Sequence, residues 1–513
     1  MPASSTRWTA LMVAALAARV LLVHFGWHAP LASRIELSSP VDSLARLREG
    51  AALVEMGLSP YEGSMLHVPP LVLLLFTPFL YVADALGASE APYASIVRSA
   101  PFVALDALVA AALFAIAARV AAASACENEQ NTDENGTRER FTDTSVPAFA
   151  ACAYLLNPMS VAACAAGSTS ALGTSCVALA LAAACKEKPE PIVAGACLAT
   201  LAFVTSDARV PTLLLYPVAS LARDGAAGDA NLRQFAPRNS ETKNSNRRFR
   251  ATFGGFFAAC LVLGAVSTRA YSDVGVTLEQ WTNATYAFTF LVTDLTPNLG
   301  VHWYLFAELF SHFRLFFLFV FHAFPAFLSV PVLARYGHTR PILAVGVVLA
   351  LHTALGPYPT WGNVAGYLAF APIFTHGELA FSARMTRTNA KNPTPRVGFA
   401  VSAALAVTAT LTPIFWHLWI EARVANANFL FAVTLAHFAA QSALIVSWIG
   451  AAVERDAASS ARRSRQREEK EKNAAIGTIA RDGPPYRDSG RGGEVQPRVA
   501  TDAPASGLAR RKR

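Results

Sequence analysis

Residues 294 to 322 read DLTPNLGVHWYLFAELFSHFRLFFLFVFH, and the two halves of this stretch differ in character. The first half offers Asp294, Asn298 and turn residues, whereas the second half is rich in phenylalanine and apolar enough to enter a bilayer. Trp303 and Tyr304 lie between them, and these ring types settle at the headgroup level of membranes. The pattern predicts a polar loop above an apolar surface, which could hold a glycolipid by both ends. The simpler alternative is a capped transmembrane helix whose phenylalanines pack on neighbouring helices.

The composition of the whole chain is that of a polytopic membrane protein. Of its 513 residues 53% are hydrophobic and 15% charged, and the mean hydropathy is +0.35. The formal charge is +8, of which the segment 454–513 supplies +6, so the basic residues do not indicate nucleic-acid binding. The seven cysteines include no CxxC pair, and we expect small buried side chains rather than a zinc site, a disulfide framework or a cofactor site.

The apolar runs predict an all-α membrane domain over residues 1–453, with about twelve transmembrane helices, followed by a disordered basic cytosolic tail over 454–513. The predicted spans lie near residues 8–27, 101–122, 147–166, 171–185, 190–206, 208–222, 251–269, 304–334, 341–357, 360–380, 397–419 and 427–452.

The distribution of basic residues sets the predicted sidedness. Twelve spans place the loops 186–190, 223–250, 335–340 and 381–396 in the cytosol, where Lys and Arg are enriched. The loop 270–302 contains neither Lys nor Arg and is then luminal, as is the first loop, 28–100. The apolar run 68–86 would reverse every later loop if it crossed the membrane, so we expect a luminal re-entrant or interfacial helical segment there.

Arg19 lies inside the first predicted span and Asp106 inside the second. Each costs about 2.5 to 3.5 kcal/mol at the centre of an inserted helix. Both should therefore face the interior of the bundle, where they could pair with each other.

Three predicted luminal turns carry the candidate binding residues. The first contains Asp294 and Asn298, the second is the segment 358–363, and the third is the segment 415–429. All three emerge on one side of the membrane in the twelve-span topology. Tryptophan belts would explain their aromatic residues but not the repeated Asn and Pro, so a binding site competes with simple helix capping. The candidate residues are Asp294, Asn298, Asn363, His417, Asn426 and Asn428, with His67 where the first loop meets the membrane, and Phe313, Phe316 and Phe317 for an apolar groove.

Five blocks of sequence resemble the PIG-U family, the multispan subunit of the endoplasmic-reticulum GPI transamidase. They are SPYEGSMLHVPPL (59–71), YLLNPMSVAACAAGST (154–169), DLTPNLGVHWYLFAELFSHFRLFF (294–317), YPTWGNVAGYLAFAP (358–372) and FWHLWIEARVANANFLFAVTL (415–435). The resemblance covers about residues 28–450, with the blocks in the family's order. The loops 124–146 and 223–250 and the tail show no such match.

The resemblance implies a multi-pass protein of the endoplasmic-reticulum membrane that recognises the GPI lipid and performs no chemistry itself. A separate, caspase-like subunit of the complex would cleave the proprotein and transfer it to GPI. The expected partners are therefore the other transamidase subunits, the GPI glycolipid and membrane lipids, with no nucleic acid and no metal or other cofactor. The family's membrane bundle is similar to that of the GT-C glycosyltransferases.

That similarity leaves a second function open, a mannosyltransferase that uses dolichol-phosphate-mannose. A GT-C enzyme needs an acidic pair in its first luminal loop to bind a metal or act as a base. The first loop offers Glu36 and Asp42, which are six residues apart and form no such pair. The chain also lacks GxSxG and HExxH motifs, so we expect no catalytic residues.

Overall fold

The computed structural model describes residues 3–86, 92–130, 145–224, 242–375 and 394–481, and within these ranges the chain forms helices and no β-strand. In chain order the helices are α1 (Ala3–His24), α2 (His28–Ala32), α3 (Leu44–Glu55), α4 (Pro70–Ala85), α5 (Pro92–Gln130), α6 (Ser145–Leu155), α7 (Pro158–Ala166), α8 (Ser170–Ala184), α9 (Pro191–Val204), α10 (Arg209–Asp224), α11 (Thr242–Arg269), α12 (Leu278–Thr282), α13 (Phe288–Leu291), α14 (His302–Glu308), α15 (Arg314–Tyr336), α16 (Pro341–Ala354), α17 (Trp361–Leu368), α18 (Thr394–Trp416) and α19 (Ala427–Arg481). Short π-helical segments cover Asn283–Ala287 and His417–Glu421.

The helices confirm an all-α polytopic membrane protein. Within the described ranges six are long and apolar enough to cross a membrane, namely Thr6–His24, Ile96–Ala122, Asn244–Val274, Ser311–Tyr336, Ala400–Glu421 and Ala427–Ala458. A seventh crossing results if α6 and α7, which bend by 49° at their junction, form one span. The remaining predicted spans correspond to shorter helices, α8, α9, α10, α16 and α17, of 8 to 16 residues. The count of twelve crossings therefore stays a prediction.

Two other predictions meet the structure in part. The run 68–86 forms α4, which packs against α3, α5 and α9, and its placement relative to the membrane stays a prediction. The chain divides into compact units at Met1–Gly450 and Ala451–Arg513, and α19 extends to Arg481. The first part of the predicted tail is thus helical, while residues 482–513 and most of the loops 124–146, 223–250 and 381–396 lie outside the described residues.

The two charges expected to face the bundle interior form a buried ion pair, as predicted. Arg19 Nε donates to Asp106 Oδ2 at 2.7 Å, and Tyr154 donates its hydroxyl to the other carboxylate oxygen at 2.7 Å. The remaining guanidinium nitrogens donate to the Ser160 hydroxyl at 2.9 Å and to the Leu155 carbonyl at 2.8 Å. A buried ion pair is tolerated when its other hydrogen-bonding positions are satisfied, and this network joins α1, α5, α6 and α7.

Close backbone contact joins α9 to α11. A Cβ atom at Gly195 would lie 2.1 Å from the Thr252 carbonyl oxygen, and one at Gly255 would lie 2.5 Å from the Ile192 carbonyl oxygen. Only glycine fits at these two positions without moving a helix. Small residues allow such approach where helices pack inside a membrane.

Candidate functional site

The first predicted turn is a compact loop whose polar side chains bond to its own backbone. Asp294 Oδ1 accepts from the Thr296 N–H at 2.9 Å. Asn298 Oδ1 accepts from the Gly300 N–H at 2.7 Å, and its amide nitrogen donates to the Thr296 carbonyl at 3.1 Å. Such side chain to backbone bonds are typical of Asx turns. Asn298 is therefore buried and shapes the loop, whereas Asp294 keeps its second oxygen for another partner.

That partner is Arg46 on α3. Its guanidinium lies 3.3 Å from Asp294 Oδ2, and the two side chains are 21% and 20% exposed. A second Arg46 nitrogen donates to the Met65 carbonyl at 2.9 Å. Partial burial raises the pKa of Asp294, but hydrogen bonds from Thr296 and the charge of Arg46 outweigh this effect. The pKa of Asp294 therefore lies below its usual value, and the carboxylate is ionised at neutral pH. No sequence pattern indicates this pair, because the two residues are 248 positions apart.

Aromatic stacking joins the first turn to the second turn and to His67. The Tyr358 hydroxyl accepts from the Asp294 N–H at 3.2 Å and donates to the Asp294 carbonyl at 3.1 Å. Phe288 stacks with Tyr358 at 5.3 Å and with His67 at 3.4 Å between ring centroids. His67 is buried, and its Nδ1 lies 2.8 Å from the Ala284 carbonyl oxygen. Burial lowers the pKa of His67, so a neutral ring holds the first loop against this stack.

The second turn is a helix cap. Thr360 precedes α17, and Asn363 Oδ1 accepts from both the N–H and the hydroxyl of Thr360 at 2.9 Å. This arrangement is a capping box, which satisfies donors at a helix start. The side-chain oxygen of Asn363 is thus committed to α17.

A buried carboxylate that the sequence did not single out for this role lies beside that cap. Asp42 accepts from the N–H and hydroxyl of Ser39 at 2.7 and 2.8 Å, from the Thr360 hydroxyl at 3.0 Å and from the Ser168 hydroxyl at 3.2 Å. It therefore ties the first loop to the start of α17 and to the turn between α7 and α8. Burial raises the pKa of Asp42 above its usual value, and the hydrogen bonds offset this only in part.

The third turn is exposed. Asn426 Oδ1 accepts from the Asn428 N–H at 3.1 Å at the start of α19, and the Asn428 side-chain oxygen accepts from the Tyr304 hydroxyl. His417 Nδ1 lies 2.6 Å from Glu421 Oε2 on the π-helical segment. The Tyr304 contact ties this turn to α14, and Tyr358 ties the second turn to Asp294. The structure thus connects the three turns.

The predicted apolar residues lie on two sides of α15. Phe313 and Phe316 are exposed, as is Leu315 beside them. Phe317 is half-buried and packs with Phe321 in the cluster around Phe306 and Leu318. The outer side of α15 therefore presents an aromatic surface rather than an enclosed groove, and Phe317 supports that surface from within.

A second polar cluster, which the sequence patterns did not indicate, holds the base of the first turn. Arg209 binds Asp207 at 2.7 Å and reaches His322 Nδ1 at 3.0 Å. Because Arg can only donate, His322 Nδ1 accepts, and its Nε2–H donates to the Phe290 carbonyl at 2.7 Å. These contacts fix α13, and so the start of the loop, to α10 and α15.

Comparison with known proteins assigns the family. The family model described as GPI transamidase subunit PIG-U matches residues 13–437, a range that contains the three turns and the aromatic surface of α15. The chain belongs to the PIG-U family. It is 30% identical over 456 residues to the GPI-anchor transamidase component PIGU of Cricetulus griseus, covering 87% of this chain and 93% of that protein. The human protein of the same name is 30% identical over 454 residues, with the same coverage.

A more distant relative extends this result to yeast. The GPI transamidase component GAB1 homolog of Schizosaccharomyces pombe is 26% identical over 406 residues, which cover 78% of this chain and 82% of that protein. The resemblance seen in the sequence blocks is thus confirmed. None of these names supports the mannosyltransferase alternative, and Glu36, on which that alternative would rely, is 2% exposed.

Proposed function

We propose that this chain is the GPI-recognition subunit of a GPI transamidase in the endoplasmic-reticulum membrane. It presents the GPI lipid for attachment to proprotein C-termini and contributes to holding the complex together. The observation that carries the proposal is the contrast among the three connected turns. Most of their polar groups shape the loops, whereas Asp294 stays partly exposed and Asn426 and Asn428 stay exposed. The exposed aromatic side of α15 follows the first turn in the chain.

The glycan end of GPI requires hydrogen-bonding groups at the membrane surface. Its mannose hydroxyls can donate to the Asn426 and Asn428 carbonyl oxygens and accept from their amide nitrogens. Asp294 supplies an ionised acceptor. In this proposal His67, Asn298 and Asn363 act as positioning residues, because their polar atoms hold the loops that carry the contacts. His417 lies on the same turn as the two amides, where Glu421 orients its ring.

The acyl chains of GPI require an apolar surface next to the glycan site. Leu315 and Phe316 lie on the first turn of α15 and Phe313 directly precedes that helix, and all three side chains are exposed. Phe317 packs behind them. Burying such rings against acyl chains contributes about 25 cal/mol per Å² of apolar area removed from water.

The transfer chemistry belongs, in this proposal, to a caspase-like subunit of the complex. A catalytic thiolate needs a partly exposed, electropositive setting. Six cysteines on or next to helices α6 to α9 and α11 are free, and four of them are buried, namely Cys152, Cys164, Cys176 and Cys185. This placement suits packing and supports a non-catalytic role.

Attachment assays on assembled complexes test the proposal. Asn426→Ala and Asn428→Ala should each weaken GPI attachment by a few-fold to about tenfold, because each removes hydrogen bonds to neutral partners. Asn426→Lys should weaken it further by placing a bulky charge at the site. Gln280→Ala, which removes a half-exposed amide on α12, is the matched control and should leave the rate unchanged. Full-rate attachment by assembled Asn426→Lys and Asp294→Ala complexes would show that the site lies elsewhere.

A further inference from the structure

The contact between Arg46 and Asp294 is longer than is usual for an ion pair between arginine and a carboxylate. Its single contact is 3.3 Å long, whereas charge-assisted bonds between nitrogen and a carboxylate are usually about 2.7 to 2.9 Å. The buried pair between Arg19 and Asp106 has a contact of 2.7 Å. Arg46 and Asp294 are thus held near each other without closing a tight salt bridge.

Each partner is fixed by bonds that do not involve the other. Arg46 donates through a different nitrogen to the Met65 carbonyl, and Asp294 Oδ1 accepts from Thr296. Between the two residues, one guanidinium nitrogen faces one carboxylate oxygen, on side chains that are about one-fifth exposed. A partly exposed pair contributes only about 0 to 1 kcal/mol, so a ligand can separate the two groups at little cost.

The two groups together favour a ligand that carries both charges. A lone anion would be repelled by Asp294 and a lone cation by Arg46. A zwitterion with its anion and cation a few bonds apart satisfies both, since guanidinium matches phosphate and a carboxylate accepts from an ammonium group. We propose that Arg46 and Asp294 form a phosphoethanolamine subsite, in which Arg46 binds the phosphate and Asp294 binds the ammonium. The inference rests on the proposed function, because phosphoethanolamines are the charged branches of the GPI glycan.

The same headgroup chemistry occurs in phosphatidylethanolamine, so the test separates the two sources. Binding of a synthetic mannoside that bears phosphoethanolamine is measured on the assembled complex in nanodiscs, beside the same mannoside without that group. Parallel nanodiscs contain phosphatidylethanolamine or only phosphatidylcholine, whose quaternary ammonium has no N–H to donate to Asp294. If the charged mannoside is displaced in nanodiscs that contain phosphatidylethanolamine, but not in nanodiscs of phosphatidylcholine, the membrane lipid shares the subsite.

The variants are Arg46→Gln, Asp294→Asn and the charge-exchanged pair Arg46→Asp with Asp294→Arg. Each single variant should lose about ten- to hundredfold in affinity for the charged mannoside and little for the plain one. The exchanged pair restores an ion pair within the protein. It places the negative side chain where the phosphate binds and the positive side chain where the ammonium binds. The preference for the charged over the plain mannoside, here called discrimination, should therefore stay lost. Arg48→Gln is the matched control, because Arg48 lies on the same helix beside Asp84 at 3.9 Å and should leave discrimination intact.

The outcomes separate this inference from the function on which it rests. Recovery of discrimination in the exchanged pair, or equal loss of both mannosides in the single variants, would show a purely structural pair and overturn the inference. Equal binding of both mannosides by the unmodified complex would overturn the inference and leave the proposed function standing. If the unmodified complex bound neither mannoside, the proposed function and the inference would both fall.

Discussion

Arg19 with Asp106 and Arg46 with Asp294 are ion pairs of the same chemistry in opposite surroundings. The first pair is 0% and 2% exposed, and further donors and acceptors on α6 and α7 satisfy it. The second is 21% and 20% exposed and has one long contact. The comparison shows that surroundings, and not residue type, separate a buried pair that joins four helices from a partly exposed pair, for which we propose a ligand.

The largest expected effect comes from breaking the buried pair. Arg19→Ala should destabilise the protein by about 3 to 5 kcal/mol, because it leaves the Asp106 carboxylate buried without its cation. Arg46→Ala should cost less, about 1 to 2 kcal/mol, because the ion pair is partly exposed and the Met65 carbonyl loses one donor. Thermal unfolding of the two variants in the same detergent measures the difference. Similar melting temperatures would mean that burial does not separate the two pairs.

Asp42 differs from both pairs, because its carboxylate is buried and its hydrogen-bond partners are all neutral. Asp42→Ala should cost about 1 to 3 kcal/mol, because the Ser39 N–H and the hydroxyls around it lose their acceptor. Asp42→Asn should cost less, since the Ser168 and Thr360 hydroxyls can rotate and accept from the new amide. Melting temperatures of the two variants check this order. Equal damage by both would show that the charge of Asp42, rather than its shape, is required.

The smallest effect is a dependence of stability on pH. Burial lowers the pKa of His302 from 6.5 to about 3. The unfolded state therefore binds more protons between these values, so stability is full above pH 6.5 and falls as the pH drops through this window. At pH 5.5 the loss should be about 1 kcal/mol from this residue. His302→Phe, which keeps an aromatic ring against Phe306, should remove that part of the acid sensitivity in unfolding measured at pH 7.5 and 5.5. An unchanged pH dependence would assign the sensitivity to other groups.

The sequence predicted those features that follow from the free-energy cost of placing polar groups in an apolar environment. Two isolated charges in apolar runs predicted the contact between Arg19 and Asp106, because each is too costly to face lipid. The apolar runs likewise predicted the all-helical class. They did not predict helix bounds, since hydropathy marks an apolar run but not the residue at which a helix begins or ends. The predicted span 304–334 is divided between α14 and α15, and α15 begins only at Arg314.

The candidate site was less predictable, because it depends on which hydrogen-bond partner the tertiary fold brings to each polar group. Asn298, Asn363 and Asn426 are the same residue type in similar turns. All three use a side-chain oxygen to shape a loop or cap a helix, but Asn298 is buried and Asn363 half-buried, whereas Asn426 is exposed. Arg46 was missed for the same reason, since its partner is distant in sequence. Local patterns indicate where turns occur but not which side chains remain available.

Photo-crosslinking tests whether the acyl chains of GPI bind the aromatic side of α15. A benzophenone side chain replaces Phe316 on α15 or, as a control, Phe257 on α11, and these two residues are 62% and 60% exposed. GPI with radiolabelled acyl chains is bound to the assembled complex before irradiation. The account predicts labelling from position 316 at several times the yield from position 257. Equal labelling from both positions, or stronger labelling from position 257, would contradict it.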